Sequence, residues 1–409
     1  MVTPTELRQF ERLAEFTDEQ LILLLPLIRT HRHLNPGELV IPLGYDEACE
    51  FFLLQGDLQL IAEDGKKKVV MGGSPEARHS IARLRPSMFE VRTLSACVML
   101  ALPSSELMKL AQPKKRHPVP ELSLSLEAKK YYKTLAQQLE NQTFQLKSLP
   151  RVALKLQPAL EQPIHDPVAL DALVRRDPNI AAKLMGTANR DRRDAMSPCQ
   201  TTLEAIKTLG LETATTLVRH FAQKQVFVAR HPWIKLRSIE SWLQAQKVAQ
   251  IAQMLASRHP HLSRALVYQL GQLHNLGEMA VLQLMDKEVN LPMARLEKLL
   301  HEVTPAASAL LLSHLHFDAH SIEVLAGLHN WQETSSDPLI TLTELVRVAR
   351  LHHLMGSDQR HLAPRPDSVP AFAKLTQLGL TPEFSLAVIN ESNHKIARLQ
   401  QALGISLEA

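Results

Sequence analysis

The sequence predicts an α+β multidomain protein in which an N-terminal β-barrel or jelly roll is followed by an all-α domain. Three observations predict this fold class. The chain of 409 residues is too long for one ordinary hydrophobic core. Between residues 33 and 102 the apolar runs are short and are separated by turn signals, as is typical of β-strands. From residue 125 to 354 the apolar residues recur with the period of an α-helix.

The composition is that of an ordinary globular protein. Hydrophobic residues make up 45% of the chain and charged residues 22%, which excludes wholesale disorder. The formal net charge is only +4, so charge gives no indication of nucleic-acid binding. The cysteines form no CxxC pair, which argues against a disulfide framework and against a cysteine zinc site; they are Cys49, Cys97 and Cys199.

The N-terminal residues give no sign of export or of membrane insertion. They are charged and periodic, unlike a secretory signal peptide. The longest early apolar run, from Leu21 to Ile28, contains Pro26 and is too short to span a bilayer. We therefore expect a cytoplasmic protein with no membrane partner and no nucleic-acid partner.

Residues 1–112 are expected to form the β domain, which short helices precede. Residues 3–6 and 17–20 each carry the capping-box pattern that starts a helix. Asp64 and Gly65 separate two apolar runs and predict a tight hairpin. Strands are expected near residues 38–41, 50–54, 58–62, 67–70 and 98–102.

The remainder of the chain is expected to divide into three parts. Residues 113–145 should be a linker and a connecting helix, because the stretch 112–120 is rich in proline. Residues 146–345 should be the all-α domain and residues 346–409 a C-terminal helical extension. Within the all-α domain Asp166 and Asp177 each precede a proline and predict helix starts.

Several stretches of the all-α domain carry a family resemblance. They are SLPRVAL at 148–154, DPNIAAKL at 177–184, TAN at 187–189, TLEAIKTLGL at 202–211 and GQLHNLG at 271–277. Their order and spacing resemble the HDOD domain, a helical relative of the HD metal-dependent phosphohydrolases. The resemblance implies a helical fold for about half of the chain.

The same resemblance bears on catalysis, because HD phosphohydrolases hold catalytic metal with histidines and a His-Asp pair. Here that pair reads His274-Asn275, and the upstream histidine of the family falls where Gln244 stands. A neutral amide is a poor ligand for a hard divalent ion. We therefore expect no catalytic residue, no cofactor and no metal, and a vestigial pocket at Gln244, His274, Asn275 and His329. For His274 we favour the simpler interpretation of a buried ring that is hydrogen-bonded to a neighbour.

A second candidate metal site comes from the density of histidines near the end of the domain. His316 and His320 are four residues apart and could bind a metal from one helix face, with Asp318 nearby. The alternative interpretation is a turn between two helices, in which the polar rings face water or cap carbonyls. The histidines of this region are His301, His314, His316, His320, His329, His352 and His353.

The N-terminal domain more weakly resembles a cyclic-nucleotide-binding domain, through residues 36–38, residues 52–56 and the hairpin at 64–65. That family holds the phosphate with an Arg-Ser/Thr-Ala triplet, and residues 87–89 (Ser-Met-Phe) stand in its place here. Without the clamp we do not expect cyclic-nucleotide binding. Four arginines could meet another anion or simply face solvent: Arg78, Arg83, Arg85 and Arg92.

Together these observations predict a non-catalytic bacterial signalling or regulatory protein. The HDOD domain would act as a protein-binding output module under a degenerate nucleotide-sensor-like domain. Two alternatives stay open. One is a metal-dependent HD-type phosphohydrolase or phosphodiesterase that uses His274, His316, His320 and His329, and the other is a cyclic-nucleotide sensor.

Overall fold

The computed structural model describes residues 2–112, 123–191, 197–287, 292–357, 360 and 363–405. The chain divides into two compact units, Met1–Lys114 and Lys115–Ala409. Most of the proline-rich stretch that the sequence suggested as a linker lies outside the described residues. The finer division into four parts remains a prediction.

The first unit contains two antiparallel sheets among its described residues, ordered β1-β7-β3 and β2-β6-β4-β5. Four short helices accompany the sheets: α1 (Pro4–Leu7), α2 (Glu11–Ala14), α3 (Asp18–Leu24) and α4 (Ser104–Ala111). The strands are β1 (Arg29–His33), β2 (Leu39–Ile41), β3 (Cys49–Gln55), β4 (Asp57–Ala62), β5 (Lys67–Met71), β6 (Phe89–Thr93) and β7 (Cys97–Pro103).

The core of this unit lies between the two sheets. Phe51 and Met99 come from one sheet, and Leu58 and Val91 from the other, and all four side chains belong to one buried cluster. The expectation of an α+β fold is confirmed, whereas the barrel that it allowed is not formed by the described strands. Two facing sheets bury the alternating apolar residues without closing a continuous ladder.

Local predictions for this unit are confirmed. Thr3 and Thr17 make capping boxes with Glu6 and Gln20 at the starts of α1 and α3. The hairpin joins β4 to β5, and Gly65 in its turn has φ +80°, a conformation that favours glycine. Cys49 and Cys97 of this unit are both buried.

The second unit is helical over its described residues, which contain fourteen α-helices. None of the described helices of the chain combines the length and apolarity needed to cross a membrane. The first seven are α5 (Leu126–Glu140), α6 (Pro150–Glu161), α7 (Pro167–Val174), α8 (Pro178–Asp191), α9 (Thr202–Leu209), α10 (Leu211–Lys224) and α11 (Pro232–Leu255). The others are α12 (Arg264–Leu273), α13 (Leu276–Met285), α14 (Met293–His314), α15 (Ala319–Gly327), α16 (Leu342–Met355), α17 (Pro370–Gln377) and α18 (Pro382–Leu403).

Both predicted Asp-Pro helix starts are confirmed. The Asp166 carboxylate accepts a hydrogen bond from the Val168 backbone N–H at 3.1 Å. The Asp177 carboxylate accepts from the N–H groups of Asn179 and Ile180, at 2.8 and 3.2 Å. These bonds satisfy N–H groups that the first turn of a helix leaves without an intrahelical partner.

Helix α11 holds the end of α7 in place. The indole of Trp242, which is 1% exposed, donates to the Arg176 carbonyl at 3.0 Å. The amide of Gln246, one turn further along α11, donates to the Arg175 carbonyl at 3.0 Å, and Gln272 of α12 donates to the same carbonyl at 2.6 Å. Side chains far along the chain therefore cap this helix, which local sequence did not predict.

Candidate functional site

Two of the four residues predicted for a vestigial pocket lie in the turn between α12 and α13. His274 follows the last residue of α12, and Asn275 directly precedes α13. His329 lies two residues beyond the end of α15, and it is close enough to His274 for their charges to interact. Gln244 is buried on α11, but within the described residues no hydrogen bond joins its side chain to the other three.

Asn275 uses its side-chain amide as a donor. The Nδ2 atom lies 2.7 Å from the Ser241 carbonyl oxygen and 2.9 Å from the Ser241 hydroxyl, and the residue is 3% exposed. These bonds tie the turn to α11. An ionised carboxylate at this position can only accept hydrogen bonds, so it would lose the bond to the carbonyl.

His274 is a buried ring with one nitrogen bonded. Its Nδ1 lies 2.7 Å from the Gly271 carbonyl, and because a carbonyl oxygen only accepts, this nitrogen carries the proton of the neutral ring. Its Nε2 is buried without a hydrogen-bond partner. Burial, assisted by the positive charge of Arg350, lowers the pKa of His274 to about 3, so the ring is neutral at physiological pH.

A buried arginine on α16 is the main charged group beside these rings. Arg350 is 7% exposed, and its Nη1 donates to the Leu328 carbonyl at 3.2 Å. Its guanidinium carbon lies 5.1 Å from the centroid of the Trp331 ring, within the range of a cation–π contact. Burial lowers the pKa of Arg350 to about 10, which still leaves the side chain charged at neutral pH.

The carboxylates of this region are engaged by another arginine. Arg237 of α11 lies 3.0 Å from a Glu278 oxygen and 3.1 Å from a Glu240 oxygen. Glu278 is the main cause that raises the pKa of Arg237. Glu278 also acts on Arg350 through its charge but is not within ion-pair distance of it, so the Arg350 cation has no ion pair among the described residues.

The outer part of the pocket contains two further histidines. The His301 and His329 ring centroids lie 6.3 Å apart. His301 of α14 is exposed and His329 is half-buried, whereas His274 and Arg350 are buried. Burial is the main cause that lowers the pKa of both His301 and His329, and the charge of Arg350 is the next. The exposure of these side chains thus decreases from His301, which is exposed, to the buried Arg350 guanidinium.

The alternative metal site at His316 and His320 does not have the predicted helical geometry. His316 lies in the turn after α14 with φ +58°, while His320 belongs to α15. Asp318 is the N-cap of α15, and its carboxylate accepts from the Ser321 N–H at 2.8 Å and from the Ser321 hydroxyl at 2.7 Å. The turn interpretation is therefore the correct one, because a cap and a left-handed residue interrupt the helix.

The pocket does not fit a divalent metal ion. Over the part of the chain that the structure describes, no three or more His, Cys, Asp or Glu side chains are placed to hold a metal. The pocket instead combines a donor amide with the buried Arg350 cation, which would repel a second positive charge.

In the first unit, the arginine nearest the predicted phosphate position is already bonded. Arg85 donates through Nε to the Glu47 carbonyl at 2.9 Å and through Nη2 to the Cys49 carbonyl. Its guanidinium also lies 5.5 Å from the Tyr45 ring centroid and 5.6 Å from that of Phe51. Arg85 therefore holds the loop together rather than presenting a free fork to a phosphate.

The other three arginines named from the sequence do not form a common site. Arg78 and Arg83 are exposed. Arg92 lies 2.6 Å from a Glu90 oxygen and donates to the Gly37 carbonyl at 3.0 Å. Solvent exposure and local pairing account for these three residues.

Sequence reasoning missed Arg350, Trp331 and the groove described next. A signal for Arg350 was present, because it stands among the apolar positions 345, 346, 348, 349 and 351 of one helix. An arginine in such a run is unusual unless the fold has a use for its charge. No comparable signal marks Trp331, since its role depends on where α16 packs.

An apolar groove of about 180 Å³ lies at the start of α6 and α11 in the second unit. Val228 is 72% exposed at this groove, and Ile405 near the end of the described chain is buried against it. Arg151 and Lys235 provide positive charge at its edge. The apolar lining is formed by Leu149, Pro150, Phe227, Val228, Ala229, Ile239 and Ile405.

Comparison with known proteins identifies one region of the chain. Residues 146–323 match the model of the HDOD domain, which confirms the resemblance seen in the sequence. No curated protein matches the chain.

Three solved structures illustrate what this chain is similar to, and all have low sequence identity to it. The MmoQ response regulator of Methylococcus capsulatus is 16% identical, with a TM-score of 0.47, and the match covers 60% of this chain and 98% of that one. A Shewanella amazonensis protein provisionally named a metal-dependent phosphohydrolase is 18% identical, with a TM-score of 0.41 and coverage of 67% and 99%. The regulatory domain of Toxoplasma gondii PKA with cAMP is 17% identical, with a TM-score of 0.23 and coverage of 34% and 49%.

Proposed function

We propose that this chain, whose residues 146–323 form an HDOD domain, is a non-catalytic bacterial signalling or regulatory protein that binds a protein partner in the cytoplasm. One observation carries the non-catalytic part of the proposal. The position that would supply a metal-bound carboxylate is occupied by Asn275, whose amide donates to Ser241. The charge of the buried Arg350, which has no ion pair among the described residues, acts on the neighbouring His274.

Electrostatics supports this proposal. A divalent cation about 6 Å from a guanidinium would be repelled by about 5 kcal/mol at an effective dielectric constant of about 20. The nearby Glu278 is engaged by Arg237 at 3.0 Å and would have to leave that pair to bind a metal. The pocket therefore lacks the negative charge that concentrates a hard cation and polarises its bound water.

We expect the purified protein to hydrolyse neither cyclic dinucleotides nor bis(p-nitrophenyl) phosphate when Mn²⁺ is added. We expect Asn275→Asp to show no gain of activity, because Arg350 remains in place, and to be destabilised by about 2 kcal/mol through the lost donor bonds. Product release followed by chromatography measures the first result and denaturant unfolding the second. An active HD phosphohydrolase assayed in parallel is the control, and Mn²⁺-dependent turnover by this chain would overturn the proposal.

The groove beside Val228 supports the protein-binding part of the proposal. Its lining is apolar, while Lys235 is exposed at its edge and Arg151 donates to the Gly404 carbonyl there. Such a surface is complementary to a partner segment that places an apolar anchor residue beside a carboxylate. We propose that the partner docks here.

We expect Val228→Glu to weaken partner binding at least tenfold, because it places a negative charge where an apolar anchor would pack. Leu154→Glu is the matched control, since Leu154 is 63% exposed on α6 and is not part of the groove lining. The measurement is capture on the tagged full chain, followed by a binding isotherm with the captured protein. Equal binding by both variants would exclude the groove as the docking site.

The two alternative functions receive less support from the contacts. A metal-dependent phosphohydrolase would need carboxylate ligands that this pocket does not offer. A cyclic-nucleotide sensor would need a guanidinium for the phosphate, and Arg85 is bonded to the backbone carbonyls of Glu47 and Cys49.

A further inference from the structure

The walls of the apolar groove in the helical unit are fixed by backbone hydrogen bonds. The Phe227 N–H donates to the Ser148 carbonyl at 2.8 Å, which ties the segment before α11 to the start of α6. The Arg230 N–H donates to the Asp286 carboxylate at 3.0 Å and holds the other end of that segment. A ligand therefore meets a groove that is already formed, and little chain entropy is lost when it binds.

The volume of the groove, about 180 Å³, indicates the size of the apolar group that it takes. An engineered protein cavity of about 150 Å³ holds one benzene molecule. The groove therefore has room for a single aromatic or leucine side chain. Val228 is 72% exposed at the groove, so part of its lining is open to a side chain that another protein provides.

The charge at the groove indicates what accompanies that side chain. Arg151 and Lys235 are the charged residues among the ten that line the groove, and both are exposed. Arg151 donates one of its five N–H groups to the Gly404 carbonyl. Among the residues that the structure describes, none is bonded to the Lys235 ammonium. An anionic group beside the bound side chain would thus meet two cations and no carboxylate of the lining.

The C-terminal residue of a protein combines an apolar side chain and an anion in one amino acid. Both groups are attached to the same Cα atom, so a side chain in the groove brings the α-carboxylate to its edge. An acidic residue next to an internal anchor is less suitable, because consecutive side chains of an extended segment point to opposite sides. Capture of a terminal carboxylate is one of the recurring modes of peptide recognition.

We infer that the groove binds the C-terminal residue of a partner protein, with an aromatic or leucine side chain in the apolar lining and the α-carboxylate paired with Lys235 and Arg151. This inference rests on the proposed docking of the partner in the groove and specifies the segment that docks. The side chain supplies apolar burial, and the carboxylate selects a chain end over an internal segment.

The test is binding of synthetic peptides to the immobilised full chain, measured by surface plasmon resonance at constant ionic strength. The probe is acetyl-Gly-Ser-Gly-Ser-Gly-Phe with a free C-terminal carboxylate, and its control is the same peptide with a C-terminal amide. We expect saturable binding of the carboxylate peptide and at least tenfold weaker binding of the amide. A carboxylate peptide that ends in Ser instead of Phe should also bind at least tenfold more weakly.

Substitutions in the protein test the two halves of the groove. Lys235→Gln should weaken binding of the carboxylate peptide at least threefold and leave the weaker binding of the amide unchanged, because only the carboxylate pairs with the lysine. Lys207→Gln is the matched control, since Lys207 is exposed on α9 and does not line the groove. Val228→Glu should weaken binding of the carboxylate peptide at least tenfold. Lys235 and Val228 are both exposed, so we expect both variants to fold.

Equal binding of the carboxylate and amide peptides, or equal effects of Lys235→Gln and Lys207→Gln, would overturn the inference. Tighter binding of the internal segment acetyl-Gly-Ser-Phe-Glu-Gly-Ser-amide would also overturn it and would identify an internal acidic motif as the occupant. These peptides do not require the partner. Their failure therefore leaves the comparison of Val228→Glu with Leu154→Glu in partner capture as a separate test of the proposed function.

Discussion

Lowering the pH from 7 to 4 is expected to reduce the free energy of unfolding of the helical unit by at least about 6 kcal/mol, the contribution of two buried histidines that are neutral in the folded state and take up protons on unfolding. Burial is the main cause that lowers the pKa of His274 and of His353 to about 3. Positive groups assist: Arg350 acts on both rings, and Lys247 also acts on His353.

The sign follows from the two pKa values of each ring. An unfolded histidine titrates near 6.5, so between about pH 6.5 and 3 the unfolded chain binds protons that the folded chain refuses. Stability is therefore complete above pH 6.5 and falls as the pH decreases toward 3, by about 2.7 kcal/mol per pH unit for two rings.

Two acidic groups modify this trend without reversing it. Burial opposes ionisation of Glu344, but hydrogen bonds led by that from Lys374 outweigh it and lower the pKa of Glu344 to about 2. The stability that ionised Glu344 contributes is thus lost only below about pH 4.5. Burial raises the pKa of Asp177, so protonation of this carboxyl favours the folded state as the pH falls. It involves one proton, whereas the two histidines involve two.

Tryptophan fluorescence during urea unfolding at several pH values measures this effect for one unit alone, because Trp233, Trp242 and Trp331 all lie in the helical unit. His353→Gln should remove the contribution of one proton from the slope of the free energy of unfolding against pH, which is about 1.4 kcal/mol per pH unit. His165→Gln is the matched control, since His165 is exposed. If His353→Gln left the pH dependence of the free energy of unfolding as unchanged as His165→Gln does, His353 would not be one of the histidines responsible.

The substitution Gly277→Ala is expected to destabilise the helical unit by about 3 kcal/mol. A Cβ atom at this position would lie 2.3 Å from the Ser308 backbone nitrogen and 2.5 Å from the Thr304 carbonyl oxygen. Both atoms belong to the backbone of α14, which cannot move aside as a side chain can. The Gly277 N–H also donates to the Ser308 hydroxyl at 2.9 Å, a bond that separation of α13 from α14 would break.

Gly327→Ala is the matched control for this prediction. A Cβ atom there would meet only the ends of side chains, Thr343 Cγ2 at 3.3 Å and Glu333 Oε2 at 3.4 Å. Alanine also favours the helix by up to about 1 kcal/mol relative to glycine, so the control should change stability little. Denaturant unfolding of both variants makes the comparison. Equal stabilities would show that α13 and α14 can separate without cost.

Gly277 also clarifies the motif that it ends. Gly271 at the start of that motif lies against α11, where a Cβ atom would be 2.9 Å from the Ala249 Cα atom. Both glycines therefore allow close helix packing, and Asn275 between them ties the turn to Ser241. Close packing accounts for the two glycines of the motif GQLHNLG, and hydrogen bonding to α11 accounts for its Asn275.

The helix starts could be predicted from sequence because their partners lie within three residues along the chain. Thr3, Thr17 and Asp177 bond to backbone N–H groups in the first turn of the helix that follows them. The absence of the family carboxylate at position 275 was equally visible, because it is a property of one residue. The spacing of His316 and His320 was misleading, since the N-cap Asp318 stands between them.

The sequence by itself determined the class of each unit, the helix caps and the HDOD resemblance, because periodicity, capping patterns and motifs are local properties of the chain. Only the tertiary structure decided that the charge of Arg350 acts on His274 and His329, that Arg85 is bonded to backbone carbonyls, and that an apolar groove forms beside Val228. Each of these depends on residues far apart in sequence, and the electrostatic character of a pocket is set by which groups packing brings together.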